Sequence, residues 1–362
     1  MNIYFFTKTI WVEPPRMRHQ LARLLIANGH KVFFFQKPVP LYRKKLEIDS
    51  LNEVILLQHN ELLHHQLRPI KLLQLINGAY CEHQIIKLTY KISPPDLIIN
   101  FNYDYYFLRN IFPTVPLITL LNDDFVSMAK LWMKREANRV INHTLAYSDH
   151  ILTVSSYTKE DLYPGENISL FLPWCEHVYK KPIHTKERNT VLYYGHINFD
   201  RINWSIFKNI VEKTNYNYRI VGPIEKTPNN LFKQLINNNR VELVGPEDIN
   251  ELDTSNVFCS LVTYNINHPA MYDLTMNNRI MRLLPKGIPT VISKMPYFIP
   301  VSKDVIWKAD SVIDFIGGIN YFHENFMSAQ QSIEKFVSKN SASNRYVEFN
   351  KLVEKLNQRK YI

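Results

Sequence analysis

A chain of 362 residues exceeds the size at which a single hydrophobic core usually stops growing, so two domains are expected. A hydrophobic content of 46% with 13% aromatics excludes long disorder, and no apolar run of roughly 18 residues exists to make a transmembrane helix. The net charge of +10 fits phosphate-bearing ligands or an anionic membrane surface; nucleic acid is excluded, since the chain has neither a DNA-reading motif nor basic residues interleaved with stacking aromatics.

The first element is the apolar strand Asn2–Phe6. It has no basic flank and no small-residue cleavage site, so it reads as a strand and not as a signal peptide, and a cytosolic protein is expected. Residues 18–28 form a helical pattern (Leu21, Leu24, Leu25) ended by Gly29, followed by strands at Lys31–Phe35 and 54–57. Residues 62–90 read as mostly helical, broken near Pro69 and Gly78, with His64 and His65 on a helix face. Buried strands follow at 96–100 and 116–121, then a long amphipathic helix at 128–146 and a strand at 150–155.

Residues 172–189 lose apolar periodicity and gain Pro173 and Pro182, the mark of an interdomain linker. A second alternating series then runs through the strand Thr190–Tyr194, the helix Trp204–Lys213, and a strand at 218–221 closed by Gly222-Pro223. It continues with a helix at 231–237, the strand Val241–Val244 closed by Gly245-Pro246, and a strand at 256–262. The stretch from Asn277 to Lys286 reads as a helix with cations in its first turns, stopped by Gly287 and followed by a buried strand at 290–292. Residues 311–362 form a helical tail, including 348–359. Strand–helix alternation of this kind gives an α/β protein with two doubly wound, largely parallel sheets. The expected division is 1–172, a linker at 173–189, 190–310, and a tail at 311–362 that packs back on the first domain.

Several turns at strand ends carry candidate chemistry. Glu13, Arg16 and His19 crowd one loop-to-helix turn, which suits binding of an anion or an acceptor, with His19 a candidate catalytic group; equally, the turn is a proline-started helix with its charges in water. Asp123 and Asp124 follow a buried strand, and either serves as a general base if a like-charged neighbour raises its pKa, or merely caps the next helix. Gly195 allows close backbone approach to a ligand and Arg201 reaches a phosphate, against a plain tight turn. Tyr264, Asn265 and His268 suit a sugar or base, although a lone histidine is more often structural. Asn278 and Arg279 stand where a helix N-terminus favours phosphate, with Arg282 one turn on; the alternative is a solvated helix face. Only 9 glycines occur, so phosphate binding falls to side chains and helix ends, with no P-loop or dinucleotide fingerprint. Cys81, Cys175 and Cys259 are widely separated, and no metal-ligand spacing is present.

Taken in order, these pieces resemble the GT-B glycosyltransferases of the large bacterial retaining-type group, including surface-polysaccharide and teichuronic-acid-type enzymes. The resemblance runs over most of residues 1–296: the Trp11 to His19 turn with Gly29-His30-Lys31-Val32, the stretch from Ala146 to Ser156, Tyr194-Gly195-His196-Ile197, Val221-Gly222-Pro223, Val244-Gly245-Pro246, and Gly287-Ile288-Pro289-Thr290-Val291. It implies two facing Rossmann-like domains and a metal-independent, cytosolic or membrane-peripheral enzyme without a cofactor. Such an enzyme moves a sugar from a nucleotide-diphosphate donor to a glycan or lipid-linked acceptor in surface polysaccharide or lipopolysaccharide assembly. Members carry lysine eight residues and glutamate five residues before the glycine matching Gly287; here Arg279 and Arg282 stand there. Arg279 preserves phosphate binding, while Arg282 removes an acceptor for the ribose. The pair Asn278-Arg279 resembles a branch of the group with Asn-Arg at this spot. Rival readings are a GT-B-fold epimerase, a phosphosugar transferase with another donor, and a non-catalytic GT-B-like partner subunit.

Overall fold

The computed structural model describes residues 1–13, 16–41, 47–51, 53–62, 70–122, 124–182, 188–224 and 228–358. The chain divides into two compact units, Met1–Phe171 with Tyr346–Ile362, and Leu172–Arg345.

The first unit begins with β1 (Asn2–Phe6), α1 (Met17–Ala27), β2 (Lys31–Phe35), β3 (Val39–Pro40), β4 (Glu47–Leu51), β5 (Val54–Gln58) and β6 (Asn60–Glu61). It continues with α2 (Lys71–Thr89), β7 (Leu97–Asn100), α3 (Leu108–Ile111), β8 (Leu117–Leu121), α4 (Phe125–Met128), α5 (Lys134–Ala146), β9 (His150–Thr153) and β10 (Ile168–Leu170). Eight strands form one sheet in the order β10-β9-β8-β7-β1-β2-β5-β4, parallel throughout except for β4 against β5. Both faces are covered, which is why β1 and β2 read as unbroken apolar runs. Tyr4, Phe6, Phe33 and Phe35 pack with Cys81, Ile85 and Leu88 of α2, while Phe34 stacks on His19 of α1.

Three of the departures from the sequence reading in this unit have a plain physical cause. The edge strand β4 is polar and exposed, so it carries no burial signal. Helix α2 runs unbroken through Gly78, where a Cβ would lie 3.5 Å from the Tyr106 hydroxyl; that glycine makes room for a neighbour and does not end the helix. The single helix expected over 128–146 is instead α4, a 3₁₀ turn at Leu131–Met133, and α5. His64 and His65 lie outside the described residues.

The second unit contains β11 (Thr190–Tyr194), α6 (Trp204–Lys213), β12 (Asn217–Val221), α7 (Asn230–Ile236), β13 (Val241–Val244) and β14 (Val257–Val262). After these come α8 (Asn278–Leu283), β15 (Thr290–Ser293), β16 (Ile306–Ala309) and α9 (Val312–Lys339). Its sheet has the order β13-β12-β11-β14-β15-β16 and is wholly parallel. Helix α6 shows why the sequence folds this way: Asn203 accepts from the Ile206 N–H as an N-cap, and Trp204, Phe207, Ile210 and Val211 bury one stripe. The last helix, α10 (Ala342–Gln358), joins the first unit from Tyr346 onward, where the Tyr346 hydroxyl lies 2.9 Å from His30 Nε2. Among the described residues no helix is long and apolar enough to cross a membrane.

Candidate functional site

In an open parallel sheet, ligands bind beyond the carboxyl ends of the strands where the strand order reverses. In the second unit that switch point lies between β11 and β14, since β12 and β13 extend to one side and β15 and β16 to the other. Gly195 and His196 leave β11 there, and Thr263 and Tyr264 leave β14. A cavity of about 380 Å³ opens at this place, lined by His196, Asn198, Arg201, Tyr264, Met271 and Arg279 among others.

Arg279 is the centre of this arrangement. Its guanidinium lies against the backbone of Gly195 (φ +134°), where a Cβ would meet Cζ at 2.9 Å, and lies 5.2 and 5.7 Å from the Tyr193 and Tyr264 ring centres. Its Nη1 is fully covered and has no hydrogen-bond partner among the described residues. Burial works against the charge, but the Tyr264 and Tyr193 groups beside it more than offset this, so the guanidinium pKa lies above its ordinary value. Gly222, also at positive φ (+146°), packs directly on the Gly195 carbonyl. The Arg201 side chain is exposed at the cavity, and its guanidinium has no ion pair or hydrogen bond among the described residues. An orphaned buried guanidinium donor costs about 1–3 kcal/mol or more. An anion seated there removes that cost.

Helix α8 is set by its ends. Asn277 is the N-cap: its Oδ1 accepts from the Arg279 N–H (2.9 Å) and its amide donates to the Tyr264 hydroxyl. The helix proper is only six residues long before a 3₁₀ turn at Leu284–Lys286 and Gly287 (φ 73°). The Gly287 carbonyl accepts from the buried Gln330 Nε2 (3.1 Å), the Gln330 Oε1 accepts from the Tyr179 hydroxyl (3.0 Å), and the Lys180 N–H donates to Pro285 (2.8 Å). Asn278 keeps a covered Oδ1 without a partner among the described residues. Arg282 is elsewhere: it pairs with Asp248 at 3.4 Å and lies 5.8 Å from the Tyr194 ring centre, outside the cavity lining. His268 uses Nδ1 to accept the Ala270 N–H (3.2 Å), capping the 3₁₀ turn Pro269–Met271. That is a structural task.

In the first unit the order reverses between β1 and β7. Here stand Lys8 and Asp104, paired at 2.5 Å with the carboxylate buried and the ammonium over the Tyr103 ring (4.6 Å). Just past β7 and β8 stand Asn102, a buried side chain with neither amide atom partnered, and Asn122, whose covered Oδ1 is likewise unpartnered among the described residues. Sequence reasoning passed over all four. The only signal was their place just past the strands β1, β7 and β8, and strand order cannot be read from the chain.

The expected catalytic His19 is fully buried with both ring nitrogens engaged. Nδ1 accepts from the Arg16 N–H (3.1 Å) and Nε2 lies 3.1 Å from the Ile10 carbonyl, which it reaches as donor. It serves α1 as a capping-box glutamate would and leaves no nitrogen for a substrate proton. Glu13 pairs with the exposed Arg16 at 3.7 Å and accepts from the Ile10 N–H. Asp124 Oδ1 accepts from the Val126 N–H (3.0 Å) at the start of α4; Asp123 lies outside the described residues.

Burial, then the Arg18 and Arg23 charges, lowers the His19 pKa, although the Ile10 bond and Glu13 oppose the shift. Burial also lowers the pKa of His30 and His143. Unfolding therefore takes up protons below the ordinary histidine pKa of about 6.5: the stability is whole above that pH and is lost as pH falls through the lowered folded values. Thermal melts are expected to fall between pH 7.5 and 5. His19→Gln, which can keep both bonds, should flatten part of that fall; an unchanged slope would remove His19 from it.

No family model matches the chain, and no curated protein matches it in sequence. Solved structures do. Sucrose-phosphate synthase from Thermosynechococcus elongatus matches with a TM-score of 0.72 at 12% identity, covering 99% of each chain. The lipopolysaccharide outer core galactosyltransferase WaaB matches at 0.64 and 15%, over 97% of this chain and 98% of its own. Anabaena HepE, solved with UDP and glucose, matches at 0.64 and 13%, over 98% and 100%. With both sheets doubly wound and the match running over nearly the whole chain, the protein has the GT-B fold of these glycosyltransferases.

Proposed function

We propose that this protein is a glycosyltransferase that moves a sugar from a nucleotide-diphosphate donor to a glycan or lipid-linked acceptor in surface polysaccharide assembly. The observation that carries this reading is the buried, unpartnered Nη1 of Arg279 against the Gly195 backbone at the switch point of the second sheet. WaaB, a lipopolysaccharide galactosyltransferase, and HepE, which holds UDP, support it by sharing the fold.

In the reaction the bond from the anomeric carbon to the diphosphate oxygen breaks, its electron pair leaves with the diphosphate, and the acceptor oxygen bonds that carbon. Arg279 and Arg201 stabilise the charge that develops on the leaving oxygen. Tyr264 walls the cavity. In the first unit, Asn102 and the Asn122 Oδ1 stand without partners among the described residues at the sheet end where an acceptor would bind. An inverting reaction sends the acceptor proton to a carboxylate such as Asp124; a retaining one needs no dedicated base. Proton NMR of the new anomeric centre separates the two.

A thermal-shift panel tests the reading. UDP or another nucleoside diphosphate at 100 times its dissociation constant stabilises the folded state by about 2.7 kcal/mol. Arg201→Ala is expected to weaken that response about tenfold in affinity, the size of one exposed charge-assisted contact. Stabilisation by a simple phosphosugar with no response to any nucleotide would instead favour a phosphosugar transferase.

A further inference from the structure

A second cavity, of about 410 Å³, opens within the second unit and shares no lining residue with the one beside Arg279. That volume falls in the ~300–1,000 Å³ range of small-molecule sites. The chain builds it where the entry segment of the unit crosses the turn between α9 and α10. The Cys175 N–H donates to the Asn340 carbonyl (2.9 Å), and Cys175 forms a parallel bridge with Ser341. The turn itself is fixed: Ser341 Oγ accepts from the Asn344 N–H (3.4 Å), and Asn344 Nδ2 donates to the Ser338 carbonyl (2.9 Å). Tyr179, also in the lining, spends its hydroxyl on Gln330 (3.0 Å). Against this fixed frame Glu176, His177, Glu334 and Ser338 are exposed, and their side chains have no ion pair or hydrogen bond among the described residues.

The inventory of donors and acceptors sets the ligand class. No lysine or arginine lines the cavity, and a phosphate would face the carboxylates of Glu176 and Glu334. An ammonium only donates; it would suit the carboxylates but leave the serine O–H and imidazole N–H groups without an acceptor. A ligand whose hydroxyls both donate and accept matches every group. The two carboxylates and the imidazole lone pair accept from it, the imidazole N–H donates to it, and the Ser338 and Ser343 hydroxyls can do either. Val178, 84% exposed, offers apolar surface to the carbon skeleton of such a ligand.

We propose that this cavity is a second saccharide-binding site, which takes a neutral sugar unit of a glycan and is separate from the cavity that holds the donor. Glu176 and Glu334 accept from the sugar hydroxyls, and the serines and His177 complete the set. The proposal rests on the glycan substrate inferred above. Its test uses neither nucleotide nor transfer, so the two readings fail separately.

Saturation-transfer NMR on the full chain measures binding of glucose, galactose, N-acetylglucosamine, maltose and lactose. At least one of the five is expected to bind. Glu176→Ala with Glu334→Ala should weaken that binding about tenfold or more, the scale of losing two charge-assisted acceptors. The melting temperature of the double variant should hold, since both side chains are exposed. Arg279→Ala should bind the sugar as the parent does, because Arg279 lines the other cavity. No binding by any of the five, or parental binding by the double variant, would overturn the proposal. So would loss of binding in Arg279→Ala, which would put the sugar in the donor cavity. Displacement of the bound sugar by putrescine would overturn it as well, since the carboxylates would then serve an amine.

Discussion

Arg279→Ala is expected to lower kcat/KM for sugar transfer by about 10²–10³-fold, the scale on which a preorganised donor at a developing charge acts. Nucleoside diphosphates should also lose their stabilising effect on the variant. The fold should survive, because the residue sits at a cavity wall and α8 keeps its Asn277 cap. Arg279→Lys separates charge from shape. It retains a cation but not the planar fork that lies against Gly195, so an intermediate loss is expected. Steady-state kinetics with a donor panel, and thermal shift for binding, read both effects. Turnover unchanged in Arg279→Ala would take the residue out of the mechanism.

Gly222→Ala is the second large effect, and it acts through the backbone. The new Cβ would lie 2.1 Å from the Gly195 carbonyl oxygen and 2.7 Å from its carbon, at a φ of +146° that an L-residue rarely adopts. Strain and overpacking together amount to at least about 3 kcal/mol. For a unit of this size that is a fall of roughly 6–12 °C in melting temperature. The movement it forces is passed to Gly195, the surface against which Arg279 rests, so diphosphate binding should fall with stability. Gly245→Ala provides the control: it ends the neighbouring strand β13, its φ is ordinary, and nothing lies within 4 Å of its added Cβ. Calorimetry on the three proteins decides the matter. A Gly222→Ala protein that melts with the parent would show that the loop accommodates a side chain.

The two alternating series were legible because parallel strands buried on both faces leave unbroken apolar runs such as Tyr4-Phe5-Phe6 and Phe33-Phe34-Phe35. The strands that left no such mark were edges. β4 is polar and exposed, and β16 (Ile306-Trp307-Lys308-Ala309) mixes a lysine and a tryptophan into four residues at the border of its sheet. The residues gathered at the second unit's cavity, Gly195, Arg201, Tyr264 and Arg279, were readable one at a time, each just past a strand or at a helix start. Their meeting was not, because it depends on β11 lying beside β14 although 62 residues separate Tyr194 from Val257. Arg282 and His268 look like ligands in the sequence because charge and imidazole draw attention. In space Asp248 and the Ala270 N–H have already engaged them. His19 misled for a related reason: as the third residue of α1 it sits where a capping side chain is useful, and burial does the rest.

The buttress behind α8 has a consequence for transplanting this site. Arg279 is aimed by a six-residue helix too short to hold its own direction, and its far end is fixed through Gly287 to Gln330, fifty-one positions after Arg279. Tyr179 and Lys180, about a hundred positions before Arg279, complete the hold. A chimera that borrows the segment from Asn277 to Gly287 but keeps a host's own equivalents of Tyr179 and Gln330 would carry the arginine without its aim. The portable unit is larger than the motif: it runs from the entry of the second unit to the middle of α9.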